Sequence, residues 1–449
     1  MKSNLKTITI IIIAVGIYTT FSKLSNNNLN FNAGNSDEIN VDNENLKLSV
    51  VSGKIHIDNN WTATKTAGIC TGSGTSLDPY IIKDLIIDGK NSSSCILIKN
   101  SNVYFKIENC TAYNAGNGGI SLQLVRNGAL INNNVSYNNE YGIKLYFSHS
   151  NTISGNIANN NKEYGIHLYQ STNNLISGNT ASDNNESGIY LEDYCNYNTI
   201  SGNTANNNDW HGIFLDDCYD STISGNTANN NNWYGIELMG GDSNYLSGNT
   251  VYNNNFHGIK VIFSDYNDIS ENIANNNTVC GISLKISEYN TISGNTAFYN
   301  LQGISLEGAL NFNNEISGNN ASYNREDGIQ LNGGTNNEIL GNIVNTNNND
   351  GIYLDASDNN TISGNTAKNN EFGIYLYSSD TNLISENILL GNDDCILEYG
   401  CKGNIFINND CGGGDGEQPI PGYNPFMLIG ILSVVVALVT GIKLKKFNK

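Results

Sequence analysis

The sequence predicts an all-β chain wound as a right-handed parallel β-helix solenoid of about fourteen coils, with an N-terminal signal segment and a C-terminal transmembrane helix. Two observations carry the solenoid. The pattern GI-x-L, polar stretch, N-x-ISGNTA, Asn run recurs, with its opening glycine at Gly142, Gly165, Gly188, Gly212, Gly235, Gly258, Gly281, Gly303, Gly328, Gly351 and Gly373. The gaps stay between 22 and 25 residues, the length of one supersecondary unit stacked on copies of itself. Within a copy the apolar residues alternate with period two, as where Ile352 and Leu354 flank an outward Tyr353, and that is strand spacing. No copy carries helical i, i+3, i+4, i+7 spacing. A leucine-rich repeat of similar length needs a denser leucine core than this chain has.

Taken in order, residues 1–21 join a basic start (Lys2, Lys6) to an apolar run from about Ile8 to Phe21, the pattern of a signal peptide or signal anchor. Residues 22–46 are rich in Asn, Ser and acids and poor in apolar residues, so they read as a disordered leader. Residues 47–94 form an N-terminal cap and first coils. Residues 95–411 are the repeats proper, with Cys95 and Gly119 opening two coils before Gly142 and Cys395 opening the last. At one strand spacing per coil the rod is roughly 67 Å long. Residues 412–425 are a Gly- and Pro-containing linker, and 426–442 an unbroken apolar run of 17 residues, about 26 Å as a helix and near the lower limit for a membrane span. Lys443, Lys445, Lys446 and Lys449 in the tail 443–449 put that tail in the cytoplasm and the β-helix outside.

Turn chemistry sits between the strands, where Asn and Gly tolerate positive φ. The SGN asparagine recurs from Asn156 and Asn179 through Asn365 and Asn387. One column of stacked amides, each donating to the next, satisfies groups that are costly when buried alone. The Ile and Leu columns supply most of the stability, about 1.5–3 kcal/mol per fully buried side chain.

The net charge is −20 and only 14% of residues are charged, which excludes a nucleic-acid partner because that needs a cationic stripe. Nine cysteines in an exported chain point to disulfides. Cys195 and Cys218 each lie five residues before the Ile of the next ISG motif, so they share a column as either a bridge or two stacked thiols. Cys395, Cys401 and Cys411 crowd the last coil, where a staple would protect an open edge. No C-x-x-C occurs. Asn60, Asn109, Asn276 and Asn359 head the Thr-containing sequons and are the glycosylation candidates.

The repeats resemble the parallel β-helix units of the carbohydrate-binding and sugar-hydrolysis (CASH) class, and are similar to the β-helix of NosD-type periplasmic copper-binding proteins. The likeness covers about residues 80–410 and concerns the residues that build coils, so it implies fold more than function. Linker, short span and basic tail together resemble the C-terminal sorting signals of archaeal surface proteins.

The sharpest surface feature joins acids to aromatics. Glu192 and Asp193, then Asp216 and Asp217, then Glu237 and Asp242 fall on successive coils, and Trp210, Trp233 and Phe256 fall two residues before successive coil-opening glycines. Aromatic faces pack on sugar C–H groups while carboxylates accept hydroxyl hydrogen bonds, so Trp210, Trp233, Phe256, Asp193 and Glu237 are the glycan-binding candidates. A glycosidase needs two carboxylates about 5–9.5 Å apart, which makes Glu192, Asp216 and Asp217 its candidates. Neighbouring coils meet that distance at every position, and a solvated acidic face is the plain alternative. The β-helix pectin hydrolases order their NTD, DD, HG and RIK blocks differently from His211-Gly212 before Asp216-Asp217. Lys144, Lys260 and Lys285, the bases a lyase would need, stand two or more coils from the densest acids. Calcium suits the oxygens of Asp216, Asp217 and Glu192, but no cofactor is expected. Copper is not expected either, because His211 and His257 share a column two coils apart, near 10 Å. The chain therefore reads as a surface-anchored protein binding extracellular glycans or envelope proteins. A polysaccharide hydrolase or lyase is the first alternative and a structural envelope spacer the second.

Overall fold

A computed structural model describes residues 50–412. The signal segment, the whole leader, the linker beyond residue 412, the span 426–442 and the basic tail lie outside the described residues. Among the described residues no helix is long and apolar enough to cross a membrane.

Each coil contributes one strand to each of two 15-stranded sheets. Sheet 1 runs from Ile55–Asp58 through Ile143–Tyr146 and Ile166–Tyr169 to Asp394–Tyr399, and sheet 2 from Tyr80–Lys83 through Thr152–Ser154 to Ile405–Ile407. A third face is held by short strands and single parallel bridges such as Thr180↔Thr204 and Thr204↔Thr227. The sheets are parallel and in register, so equivalent repeat positions are neighbours: Ile143 pairs with Ile166, Leu145 with Leu168, Ile153 with Ile176. The first strand of sheet 1, Ile55–Asp58, belongs to the N-terminal cap and first coils.

Four inward columns build the core. Ile143, Ile166 and Ile189 stand for the first, Leu145 and Leu168 for the second, Ile153 and Ile176 for the third, and Ala158, Ala181 and Ala205 for the fourth; all are fully buried. Small side chains in the fourth column let the chain pass close to the coil-opening glycines. A Cβ on Gly142 would lie 2.6 Å from the carbonyl oxygen of Gly165 and 2.9 Å from the Ala158 methyl, and Gly235, Gly258 and Gly281 are equally confined. These glycines are required by close approach. The SGN glycines are required instead by a left-handed backbone, with φ of +66° at Gly155 and +61° at Gly202.

Three asparagine ladders run along the rod, where the sequence suggested one. In the SGN ladder Asn226 donates its backbone N–H and its side-chain Nδ2 to Oδ1 of Asn249, at 2.9 and 3.0 Å, and Asn249 repeats this to Asn272. A second ladder runs through Asn208, Asn231 and Asn254, and a third through Asn244, Asn267 and Asn290. These rungs are buried, so buried amides and backbone donors satisfy one another.

The ends carry two corrections. A six-residue helix, Trp61–Thr66, interrupts the otherwise all-β chain inside the cap. Its Trp61 is buried, stacks on Tyr80 at 4.9 Å and donates Nε1–H to Ser101 Oγ at 2.8 Å. At the other end Cys395 and Cys411 form the disulfide and Cys401 remains a thiol. Cys195 and Cys218 are also free thiols. They stand in a column shared with serines such as Ser148, Ser171, Ser264 and Ser287, and each donates to a backbone carbonyl, Cys195 to Glu192 and Cys218 to Asp216, both at 3.2 Å. Asn60, Asn109, Asn276 and Asn359 are all exposed.

Candidate functional site

The outer face of sheet 1 collects the ionisable and aromatic side chains. Its central column follows the x of GI-x-L: Lys144, His167, Tyr190, Phe214, Glu237, Lys260 and Ser283 in register. Period two points these residues away from the core, yet His167, Tyr190, Phe214, Glu237, Lys260 and Ser283 are buried. Two flanking columns cover them. One is the residue before each glycine: Tyr141, Tyr164, His211, Tyr234, His257 and Cys280. The other ends the strand: Tyr169, Glu192, Asp216, Met239, Ile262, Lys285 and Glu307.

Rings from the central and first flanking columns interlock without a break from Tyr141 through His167, Tyr164, Tyr190, Phe214, His211 and Tyr234 to His257, with centroids 4.9–5.3 Å apart. Outside them stand Trp210, Trp233 and Phe256, 45%, 43% and 40% exposed. Trp233 stacks on Phe256 at 5.1 Å and lies 6.3 Å from Trp210. The aromatic candidates therefore face solvent as one continuous strip.

Burial sets the electrostatics. Glu237 Oε2 lies 3.3 Å from His211 Nε2. Burial pushes the Glu237 carboxyl up to about 7, with Lys260 pulling down and Asp216 pushing up. Burial alone holds His211 down near 3. Close to neutrality the imidazole is therefore uncharged, and the contact is a close approach of a neutral ring to a carboxyl rather than a full ion pair. Asp216 is raised to about 6 by burial, then by Asp217 and Glu192. His167 meets Glu192 at 3.1 Å. Nδ1 of His167 and of His211 are buried without a hydrogen-bond partner.

Further along, the Lys260 ammonium donates to Ser283 Oγ at 2.7 Å and to Glu307 Oε2 at 3.2 Å, while Ser283 Oγ donates to Glu307 Oε1 at 2.7 Å. His257 Nε2 is 3.9 Å from Glu307 Oε1. Donor atoms of His257, Cys280 and Glu307 all lie within 4.8 Å of one another, and among the described residues this is the trio of His, Cys, Asp or Glu so arranged. Asp216, Asp217 and Glu192 form no such trio.

The sequence candidates are thus divided. Glu192 and Asp216 are register neighbours, with Asp193 and Asp217 in the left-handed turn positions just beyond. Glu237 does not continue that acid column. Its own coil puts Met239 there, because Glu237 stands two residues earlier, in the central column against Lys260. Lys260 is therefore beside an acid on the adjacent coil, not remote from all of them. His167, Cys280, Ser283 and Glu307 were not candidates on sequence, and Lys260 was weighed only as a lyase base. The signal that finds them is the repeat offset itself: His211, His257 and Cys280 all stand one residue before a coil-opening glycine.

The sequence matches two family models, one described as a right-handed β-helix region over residues 94–251 and one as periplasmic copper-binding protein (NosD) over residues 209–349 and 300–413. A thiol and an imidazole side by side at Cys280 and His257 fit the ion that the second description names, since soft sulfur ligands favour Cu(I). No curated protein matches the sequence. Among solved structures it is similar to the Dettilon tailspike protein (17% identity, TM-score 0.44, 72% of this chain and 62% of the tailspike). It is also similar to the Azotobacter vinelandii mannuronan C-5 epimerase AlgE6 A-module (16%, 0.44, 70% and 91%) and the periplasmic alginate epimerase AlgG (14%, 0.44, 80% and 83%). The chain thus spans less than two thirds of the tailspike. Winding, register and repeat together make it a right-handed parallel β-helix repeat protein.

Proposed function

We propose that the outer face of sheet 1 binds an extended extracellular glycan, laid along the rod against Trp210, Trp233 and Phe256. The observation that carries this reading is the solvent-facing aromatic strip, one ring per coil, with the carboxylates of Glu192 and Asp216 at the strand ends of its first coil and the coil before. Exposed rings in a continuous strip offer stacking surface for successive sugars, and Asp193 and Asp216 offer acceptors for their hydroxyls, whereas Glu237 is buried beneath the flanking columns. The signal segment, the apolar run and the basic tail support export and single-pass tethering with the rod outside, where envelope proteins are the other class of partner. The match to a periplasmic family model agrees with export.

A glycan array probed with the full chain tests the reading. Binding is expected, and Trp210→Ala with Trp233→Ala is expected to weaken it by about tenfold per ring, or about 1.4 kcal/mol each. Absence of any glycan ligand, or unchanged binding by the double variant, overturns it. A second reading, a polysaccharide-active enzyme, is favoured by one observation: Glu237 at about 7 and Asp216 at about 6 are poised near the working pH of a general acid or base. Release of reducing ends or unsaturated products, abolished by Asp216→Asn or Glu237→Gln, would select it.

A further inference from the structure

We infer that a cavity at the N-terminal end of the outer face of sheet 1, between Lys99 and Lys144, binds a sulfate or phosphate monoester of a small hydroxylated molecule. This does not depend on the glycan reading. The cavity has a volume of about 320 Å³, enough for one sugar-sized body. It exists because two columns carry small residues on the same coil. The central column runs Leu97, Ser121, Lys144 in register, and the column before the coil-opening residue runs Ser94, Gly118, Tyr141. The large side chains that fill both columns on the next two coils are thus replaced by a hydroxyl and a bare backbone. A Cβ on Gly118 would lie 2.6 Å from Ser121 Oγ and 3.6 Å from Lys144 Cβ.

The lining supplies donors from three sides. The floor is the buried pair Ser94 and Ser121, whose hydroxyls meet at 2.8 Å. Lys144 stands on one side, its ammonium 4.0 Å over the Tyr141 ring. Lys99 and Gln123 stand on the other, register neighbours in the column that ends the strand. Two coils along and two residues across put the Lys99 and Lys144 Cα atoms roughly 12 Å apart on opposite sides of Ser121, a span that two lysine side chains close around one ion. At the rim the Lys54 ammonium donates to Ser92 O at 2.8 Å and to Ser93 Oγ at 3.3 Å. Leu97 and Tyr146 complete the wall and offer apolar surface to a carbon skeleton.

Among the described residues no Asp or Glu lines the cavity. Asp58 is beside Lys99 in register but accepts the Asn100 amide at 2.7 Å, and among the described residues Lys99 and Gln123 make no side-chain hydrogen bond or salt bridge. Burial lowers Lys144 below the ordinary lysine value, with Glu140, Glu163 and Glu192 opposing from outside the cavity. Between residues 50 and 160 eight Lys or Arg meet six Asp or Glu, whereas between 161 and 412 six meet thirty. An anion is therefore drawn to this end of the rod and repelled from the rest. Donors on three sides suit a tetrahedral group with three outward oxygens better than a planar carboxylate, whose two oxygens accept in one plane.

The test is calorimetric titration of the full chain with glucose 6-phosphate and glucose 6-sulfate, with glucuronate and glucose as planar-anion and neutral controls. Saturable one-to-one binding of at least one ester is expected, the preference between the two naming the source, with glucuronate about tenfold weaker. Lys99→Met and Lys144→Met are each expected to weaken the ester roughly tenfold, and Ser121→Leu, which fills the floor, to abolish its binding. Trp210→Ala is expected to leave it unchanged. No saturable binding of either ester, equal binding of glucuronate, or parent-like binding by both lysine variants overturns the site. Loss with Trp210→Ala places the ester on the aromatic strip and overturns it too. Both lysines are partly exposed, so their variants decide the matter even if Ser121→Leu does not fold.

Discussion

Replacing Glu237 by Gln isolates the most informative ionisation in the rod. The carboxyl is 8% exposed, lies 3.3 Å from a neutral His211 and is raised by burial from 4.5 to about 7. Because its folded pKa is raised, the native state holds this proton more tightly than the unfolded chain does. Its stabilising contribution is therefore fully present below about pH 4.5 and is lost as pH rises through about 7. At about 1.4 kcal/mol per unit, the full loss is roughly 3 kcal/mol, most of it falling between pH 5 and 8. Gln keeps polar atoms near His211 but does not titrate, so the stability of Glu237→Gln relative to the parent should climb by about 2–3 kcal/mol across that window. Hydrogen exchange of amides in the surrounding coils, at a series of pH values, reads this locally, which suits a solenoid whose unfolding need not be two-state. A difference between variant and parent that stays flat from pH 5 to 8, or falls, refutes the reasoning.

Other outcomes follow from the same geometry. Asn249→Ala removes the acceptor of Asn226 N–H and Nδ2 and the donor to Ile223 O at 2.8 Å; a loss of roughly 2–4 kcal/mol is expected in amide protection of adjoining coils, and parent-like protection contradicts the ladder. Gly235→Ala places a Cβ 2.7 Å from Gly258 O and 2.9 Å from Val251 Cγ1, whereas Gly202→Ala meets nothing within 4 Å and strains only φ. The first should cost about 1–3 kcal/mol and the second about 1–2 kcal/mol in denaturant midpoints, with Gly235 the more damaging; the reverse order would contradict the packing account. Cys411→Ser opens the Cys395 bridge, and proteolysis should then trim the last coil first, while Cys401→Ser leaves it protected.

The coil count and the core columns were legible because a repeat in register turns sequence offsets into spatial neighbours; which way the Trp210 column points was open until the structure showed it half exposed. That rule fixes a side chain's direction but not its cover. Glu237, Lys260 and His167 read as outward, which they are, yet they are buried because Tyr164, His211, Asp216 and Glu307 close over them from both flanks. The His257–Cys280–Glu307 trio was hidden for a related reason. Glu307 reaches it diagonally, across two coils and from a different column, which offset counting along one column cannot show. Cys195 and Cys218 were correctly placed in one column, but a shared column did not establish a bond between them. The second and third ladders were obscured by the abundance of Asn, which blurs each separate offset.

The three ladders give the rod a head and a tail, since each ladder asparagine accepts on Oδ1 from the coil before it and gives its backbone N–H to Oδ1 of the coil after it. Any cut between equivalent asparagines exposes the same donor set on one side and the same acceptor set on the other. Whole turns can therefore be excised or duplicated with matching seams, and length changes in quanta of about 4.8 Å. A lineage carrying such a chain can retune the length of its rod without redesigning a single joint.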